Sequence, residues 1–281
     1  MKLIRSTALI CTATMLASCA SSGVPGPGYQ LQDVSAGLTH ADMCAESLAG
    51  SAVPGYIPLD SRDIEILNWN IRKGLDPEWA TDLDAIGDQP DLMLFQEAAL
   101  HTDDWGSLAS SHHRSFAAGY RTKRSLTGVM TVSAAQPLTQ CTLVSREPWL
   151  RSPKATMISE YALTDTDETL LVVNVHSVNF TFGVRDFTNQ IKEIESVISE
   201  HDGPVLLSGD FNTWRWRRAA IVQQAADSLG LEKLDFDVDH RKRVFGQALD
   251  HIYVRGFEVM QATTSQVRTS DHNPMSVRLR L

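Results

Sequence analysis

The stretch LLSGDFNTW, Leu206 to Trp214, decides how this chain is read. Val205-Leu206-Leu207 is a nearly continuous apolar run of the kind that fills a strand buried on both faces. It stops at Gly209-Asp210-Phe211-Asn212. Residues two apart on a strand share a face, so Asp210 and Asn212 can address one small target. Asp and Asn also start turns, because their side chains hydrogen-bond the backbone nearby. Whether this is a turn or a site depends on how the other strands end.

They end in the same way. Asp63 to Asn70 (DIEILNWN) finishes in Asn70, Asp91 to Glu97 (DLMLFQE) in Glu97, and Thr169 to His176 (TLLVVNVH) in His176. Ala248 to Val254 carries Asp250, and Asp271-His272 precedes a closing strand, Met275 to Leu281. Helices are predicted between them. Asp76-Pro77 reads as an N-cap with proline at N1, followed by Trp79, Leu83 and Ile86 at helical spacing. Phe187 to His201 sets Ile191, Ile194, Val197 and Ile198 on one stripe, and Arg218 to Leu229 stops at Gly230. Strands alternating with helices imply an α/β body whose ligands gather beyond the strand ends. Glu97 carries particular weight, because an ionised carboxylate after an apolar run avoids burial unless paired or metal-bound. His251 neighbours Asp250 but faces the other way on its strand, and His112, His113 and His240 match no metal spacing.

The 281 residues carry a formal charge of −9 with 43% hydrophobic residues, the composition of a globular protein. Residues 1–18 read as a secretory leader, with Lys2 and Arg5 ahead of the apolar run Ala8 to Leu16. Leu16-Ala17-Ser18-Cys19 has the form of a bacterial lipobox, which would leave Cys19 lipidated and the chain anchored to a membrane. The expected location is the cell envelope, on the periplasmic face of the outer membrane. Loss of the leader takes the charge to −11, which opposes a large nucleic-acid-binding face. Basic residues are nonetheless concentrated in Trp214-Arg215-Trp216-Arg217-Arg218 and His240-Arg241-Lys242-Arg243. Residues 19–61 are rich in Gly, Pro, Ser and Ala and read as a flexible tether with a short helix near Ala41 to Leu48. The folded domain is expected over 62–281. Cys44 and Cys141 either pair, pinning the tether to the domain, or stand as two buried thiols.

Six short motifs, in order, resemble the endonuclease/exonuclease/phosphatase (DNase I-like) superfamily and, more closely, a bacterial subfamily of it. They are Trp69-Asn70-Ile71-Arg72, Leu94-Phe95-Gln96-Glu97, Asn174-Val175-His176, Gly209-Asp210-Phe211-Asn212, Leu249-Asp250-His251-Ile252 and Ser270-Asp271-His272. Gly128 to Ser133 (GVMTVS) resembles a central strand of the same group. The resemblance implies a four-layer α/β sandwich, two mixed β-sheets packed face to face with helices outside. It assigns Asn70, Glu97 and Asp271 to a Mg²⁺ or Mn²⁺ ion, and Asp250 to the orientation of His272. Asp210 and Asn212 would bind and orient the attacking water and a phosphate oxygen, and His176 would stabilise the phosphorane or assist the leaving oxygen. Either Asp210 or the His272–Asp250 pair would take the proton. Arg72, Asn174 and Trp214 are the expected substrate contacts, Trp214 by stacking on a base or by packing under the following helix. The position after Glu97 is Ala98, where DNase I has arginine. The expected activity is water attack on a phosphodiester by a monomer. Nucleic acid is the leading substrate, a phospholipid, sphingomyelin or phosphoinositide the alternative, and a silent binding module a third reading.

Overall fold

A computed structural model of the chain describes residues 31–33, 40–51, 53–86, 90–100, 112–121, 125–148 and 150–281. The leader and Cys19 lie outside the described residues.

The first sheet holds β1 (Leu31–Asp33), β2 (Ile64–Asn70), β3 (Leu92–Ala99), β4 (His113–Arg121) and β5 (Leu126–Ser133), completed by β14 (Glu258–Thr264) and β15 (Met275–Arg280). Its order is β1-β4-β5-β3-β2-β15-β14. The second holds β6 (Thr139–Arg146), β7 (Pro153–Ala162), β8 (Thr169–His176), β9 (Val205–Asp210), β10 (Glu232–Lys233) and β13 (Asp250–Arg255), in the order β10-β13-β9-β8-β7-β6. A two-residue-strand hairpin, β11 (Arg243–Val244) and β12 (Gln247–Ala248), stands beside them. Both sheets are mixed: β2–β3 and β8–β9 run parallel, while β3–β5, β7–β8 and β9–β13 run antiparallel.

Strand parity builds the layers. Ile64 and Ile66 of β2, Leu92 and Leu94 of β3, Leu170 and Val172 of β8 and Leu206 of β9 meet between the sheets. The alternate residues face outward. Leu67, Trp69, Met93 and Phe95 pack beneath Trp79 and Leu83 of α2 (Trp79–Ile86), Trp79 meeting Phe95 edge-on. On the far side, Val173, Val175, Val205 and Leu207 receive the stripe Ile191, Ile194, Val197 and Ile198 of α3 (Arg185–Ile198) and Val222 of α4 (Trp216–Ser228). Each such buried side chain contributes about 1.5–3 kcal/mol. The four-layer α/β sandwich follows from this two-sided burial, which is why β8 and β9 read as unbroken apolar runs.

The segment expected as a tether is docked where it is described. Helix α1 (Ala41–Glu46) lies on the second sheet's outer layer, with Cys44 disulfide-bonded to Cys141 of β6. The amides of Ala49 and Gly50 donate to buried Glu160 at 2.5 and 2.8 Å, and Leu59 is buried between the sheets. The folded body therefore includes residues amino-terminal to 62, because these groups have partners there.

Candidate active site

Register sets the site. Across the parallel ladder His176 stands opposite Asp210, and across the antiparallel one Asp210 stands opposite Asp250. Three chemically active side chains thus lie abreast on adjacent strands, at the end where the apolar core stops. Just below them the sheets meet through a layer of amides. Gln96 Nε2 donates to Asn68 Oδ1 at 3.0 Å and to Asn174 Oδ1 at 2.8 Å, and Asn174 Nδ2 donates to the Met130 carbonyl at 3.0 Å. Asn174 is therefore not a substrate contact as expected. Two residues before His176 on the same face, it is fully buried and its amide is already bonded within this layer.

Above that layer Asp210 is the hub. Its Oδ2 accepts from Asn70 Nδ2 at 3.1 Å, and lies 3.7 Å from His176 Nε2 and 3.9 Å from His272 Nε2. Its Oδ1 accepts the Asn212 amide at 2.9 Å, while the Asn212 side chain is pinned to the Ser177 carbonyl at 3.1 Å. His272 Nδ1 lies 2.8 and 3.0 Å from the two Asp250 oxygens, which fixes the ring and turns Nε2 toward Asp210. The turn carrying His272 is clipped to β2. Ser270 Oγ donates to the Asn70 carbonyl at 2.6 Å, and Trp69 Nε1 donates to the His272 carbonyl at 2.9 Å.

Glu97 reaches this group through a β-bulge. Pairing of β3 with β5 shifts between Phe95 and Ala98, and Glu97 takes φ 51°. In a regular strand Glu97 would follow Phe95 outward; the bulge redirects it to the cavity beside His176. Its carboxylate meets Lys73 Nζ at 2.8 Å. Asp271 is half exposed, 3.5 Å from Lys242 Nζ and 4.0 Å from Arg72 Nε. Arg72 is thus at the rim, while its amide donates to Asn70 Oδ1 at 3.1 Å. Trp214 packs rather than projects: Arg215 and Arg218 lie 4.6 and 5.1 Å from its ring centroid, and Phe245 is at 6.4 Å. Trp216, by contrast, is exposed. His251 faces away, bonded to Thr213 Oγ1 at 2.8 Å.

Four participants were not foreseen. Lys154 Nζ lies 2.7 Å from His176 Nε2, Lys73 pairs with Glu97, and Ser270 clips the turn. Arg218 is buried and donates to the carbonyls of Val178, Asn212 and Asn179, tying the loop after β8 to the end of β9. Lys154 opens a strand instead of closing one. Because β7 is antiparallel to β8, its beginning reaches the edge where β8 ends.

Burial pushes the Asp210 carboxyl up to about 6, with Asp250 adding to the rise and His272 opposing it. Burial also works against a charged His272 ring, but the Asp250 and Asp210 carboxylates outweigh it and raise the imidazole to about 10. His176 moves the other way: burial, then Lys154, His272 and Lys73, hold it well below the ordinary histidine value. At neutral pH the site therefore pairs a charged His272 and a neutral His176 with an Asp210 carboxylate of unusual basicity.

The oxygens of Glu97, Asn70 and Asp271 suit a hard divalent ion such as Mg²⁺ or Mn²⁺, which takes carboxylate and carbonyl ligands and keeps several waters. Glu97 already holds one positive charge, the Lys73 ammonium. Among the described residues, Asp210, Asp250 and His272 also present ligand atoms within 4.8 Å of one another. There His272 Nδ1 is committed to Asp250, which suits that trio to acid–base chemistry.

The fold and this cluster are those of a hydrolase acting on phosphate esters. Residues 67–272 match the Endonuclease/Exonuclease/phosphatase family, and the chain belongs to it. It is 37% identical over 231 residues to a UPF0294 protein of Yersinia enterocolitica, covering 81% of this chain and 88% of that one. In fold it is similar to the human Nocturnin catalytic domain with bound sulfate (TM-score 0.61, 14% identity, 80% of this chain and 96% of that one). It is similar too to the mannosyl-6-phosphatase of Bacteroides thetaiotaomicron (TM-score 0.57, 16% identity, 78% and 100%).

Proposed function

We propose that the protein is a divalent-metal-dependent phosphodiesterase of the cell envelope, acting by direct attack of water and most suited to nucleic acid. The observation that carries this reading is the convergence of Asp210, Asp250–His272, His176, Asn70 and Glu97 at one end of the sandwich. When bound at Glu97, Asn70 and Asp271, Mg²⁺ or Mn²⁺ would neutralise charge on the phosphoryl oxygens. Asp210 takes the proton of the attacking water as its oxygen bonds to phosphorus, and the bond from phosphorus to the leaving oxygen breaks, that oxygen taking a proton from solvent. A carboxylate near 6 is a better base than an ordinary aspartate, and a ring raised to about 10 already carries its proton. His272, held by Asp250, donates from Nε2 to a phosphate oxygen, and Asn212 keeps Asp210 aimed by its backbone amide. Among the described residues the two cysteines, Cys44 and Cys141, are joined in the disulfide, so neither is a nucleophile.

The envelope assignment rests on the leader and Cys19, through which lipidation would anchor a monomer facing the periplasm. The exposed Phe180 and Phe182 favour a second reading, a phospholipid ester as substrate. Leaderless protein should be assayed with Mg²⁺ or Mn²⁺ against bis-p-nitrophenyl phosphate, single-stranded and duplex DNA, RNA and phospholipid vesicles. Cleavage of the diester and of nucleic acid, abolished by EDTA and by Glu97→Ala, supports the proposal. Cleavage of vesicles alone selects the second reading, and activity untouched by both EDTA and Glu97→Ala overturns both.

A further inference from the structure

A cavity of about 180 Å³ adjoins the cluster. Glu97, Lys154 and the neutral His176 form its polar floor, and Tyr120, Leu150 and Phe180 line its mouth. The three mouth side chains are unusually open for their type, 48%, 64% and 60% exposed. They belong to three separate segments: the end of β4, the turn before β7 and the loop after β8. The loop is not slack at its base. Buried Glu147 accepts the amides of Asn179 and Phe180 at 3.0 and 3.4 Å, and Arg218 holds the Val178 and Asn179 carbonyls at 2.8 Å. Phe180 is thus presented from a fixed backbone.

Resting on the phosphodiesterase reading, we infer that this cavity is a subsite for one unpaired nucleobase of a single-stranded nucleic acid, with its phosphate on Lys154. Lys154 donates to the neutral His176 Nε2, and a lysine has two further donors and no acceptor. Its charge therefore remains available to a phosphate oxygen beside Asp210. Two aromatic side chains at the mouth provide faces for stacking, worth about 1–3 kcal/mol per base. A base must leave a duplex stack to enter a walled cavity, so single strands are favoured over duplexes. An acyl chain is disfavoured by the Glu97 and Lys154 charges in the lining. The chain's formal charge of −9 also opposes tracking of a long duplex backbone.

The test compares wild type, Phe180→Ala, Tyr120→Ala and Lys154→Met in steady-state kinetics. Substrates are a single-stranded oligonucleotide, its duplex, bis-p-nitrophenyl phosphate and phosphatidylcholine vesicles. The inference predicts single strand cleaved at least tenfold faster than duplex. Phe180→Ala and Tyr120→Ala should each raise KM for the single strand about tenfold with little change in kcat, while Lys154→Met lowers kcat/KM on both the oligonucleotide and the small diester. Unchanged KM in both aromatic variants, with the small diester still cleaved by wild type, overturns the subsite alone; so does a preference for duplex or vesicles. No cleavage of any diester by wild type overturns the phosphodiesterase reading instead.

Discussion

Asp210 is held by four neighbours, and its task as a base is toward water. Asn70 Nδ2 and the Asn212 amide occupy it from the protein side, leaving the flank toward His176 and His272 for water and phosphate. Asp210→Asn should cut kcat by about 10²–10⁴-fold with the circular-dichroism spectrum unchanged. A base must be unprotonated, so kcat/KM should rise with pH through about 6, the value to which burial pushes Asp210. Were His272 the base, the rise would instead follow the imidazole toward about 10. A pH–rate profile separates the two. At this scale the sequence was informative wherever a polar residue ended an apolar strand, as Asn70, His176 and Asp210 do. Lys154 was invisible because it begins its strand, and Asn174 misled because parity alone does not say how far along the strand the amide layer extends.

At the scale of elements, two local distortions aim the chemistry. The bulge at Glu97 turns a carboxylate that would otherwise face α2. Gly209, at φ 149°, allows β9 to pass β8 closely: a Cβ there would sit 2.0 Å from the Val175 carbonyl. Gly209→Ala should therefore destabilise the fold by about 2–3 kcal/mol, read as a lower urea midpoint at unchanged m-value. An unaffected midpoint would mean that the β8–β9 ladder has room to spare. Strands β2, β3, β8 and β9 were legible from their continuous apolar runs, and α2, α3 and α4 from their stripes, with ends displaced by at most three residues. Strands such as β4 and β14 were not. His113 to Arg121 mixes exposed and buried residues without strict alternation, and β14 is largely exposed, so neither carries a periodic signal.

For the molecule as a whole, buried imidazoles set the response to acid. Burial, as the largest cause, lowers His176, His201 and His251 below the ordinary value near 6.5. As pH falls through that value, unfolded chains take up protons at these rings and folded ones do not, so stability falls. Asp210, between its ordinary range near 4 and about 6, and His272, whose ring the carboxylates raise to about 10, work in the opposite direction, two groups against His176, His201, His251 and the similarly lowered His112. The urea midpoint should be lower at pH 5.5 than at 7.5; an equal or higher midpoint would contradict this. The disulfide acts on the same scale. Joining residues 97 apart, it should stabilise by about 4–5 kcal/mol, so Cys44→Ala/Cys141→Ala should lower the midpoint while leaving kcat intact. Pinning of the tether through Cys44 and Cys141 was one of two readings the sequence left open, while its contacts with Glu160, distant in sequence, carried no signal.

The account stands on strand tips from both sheets sharing one cation and one phosphate. The most direct test is an anomalous-difference map from crystals soaked in Mn²⁺ and inorganic phosphate. The account predicts a peak bonded to Glu97 with Asn70 and Asp271 nearby, and phosphate between it and Asp210, His272 and Lys154. A peak confined to Asp210, Asp250 and His272, or phosphate bound away from all of them, would contradict it.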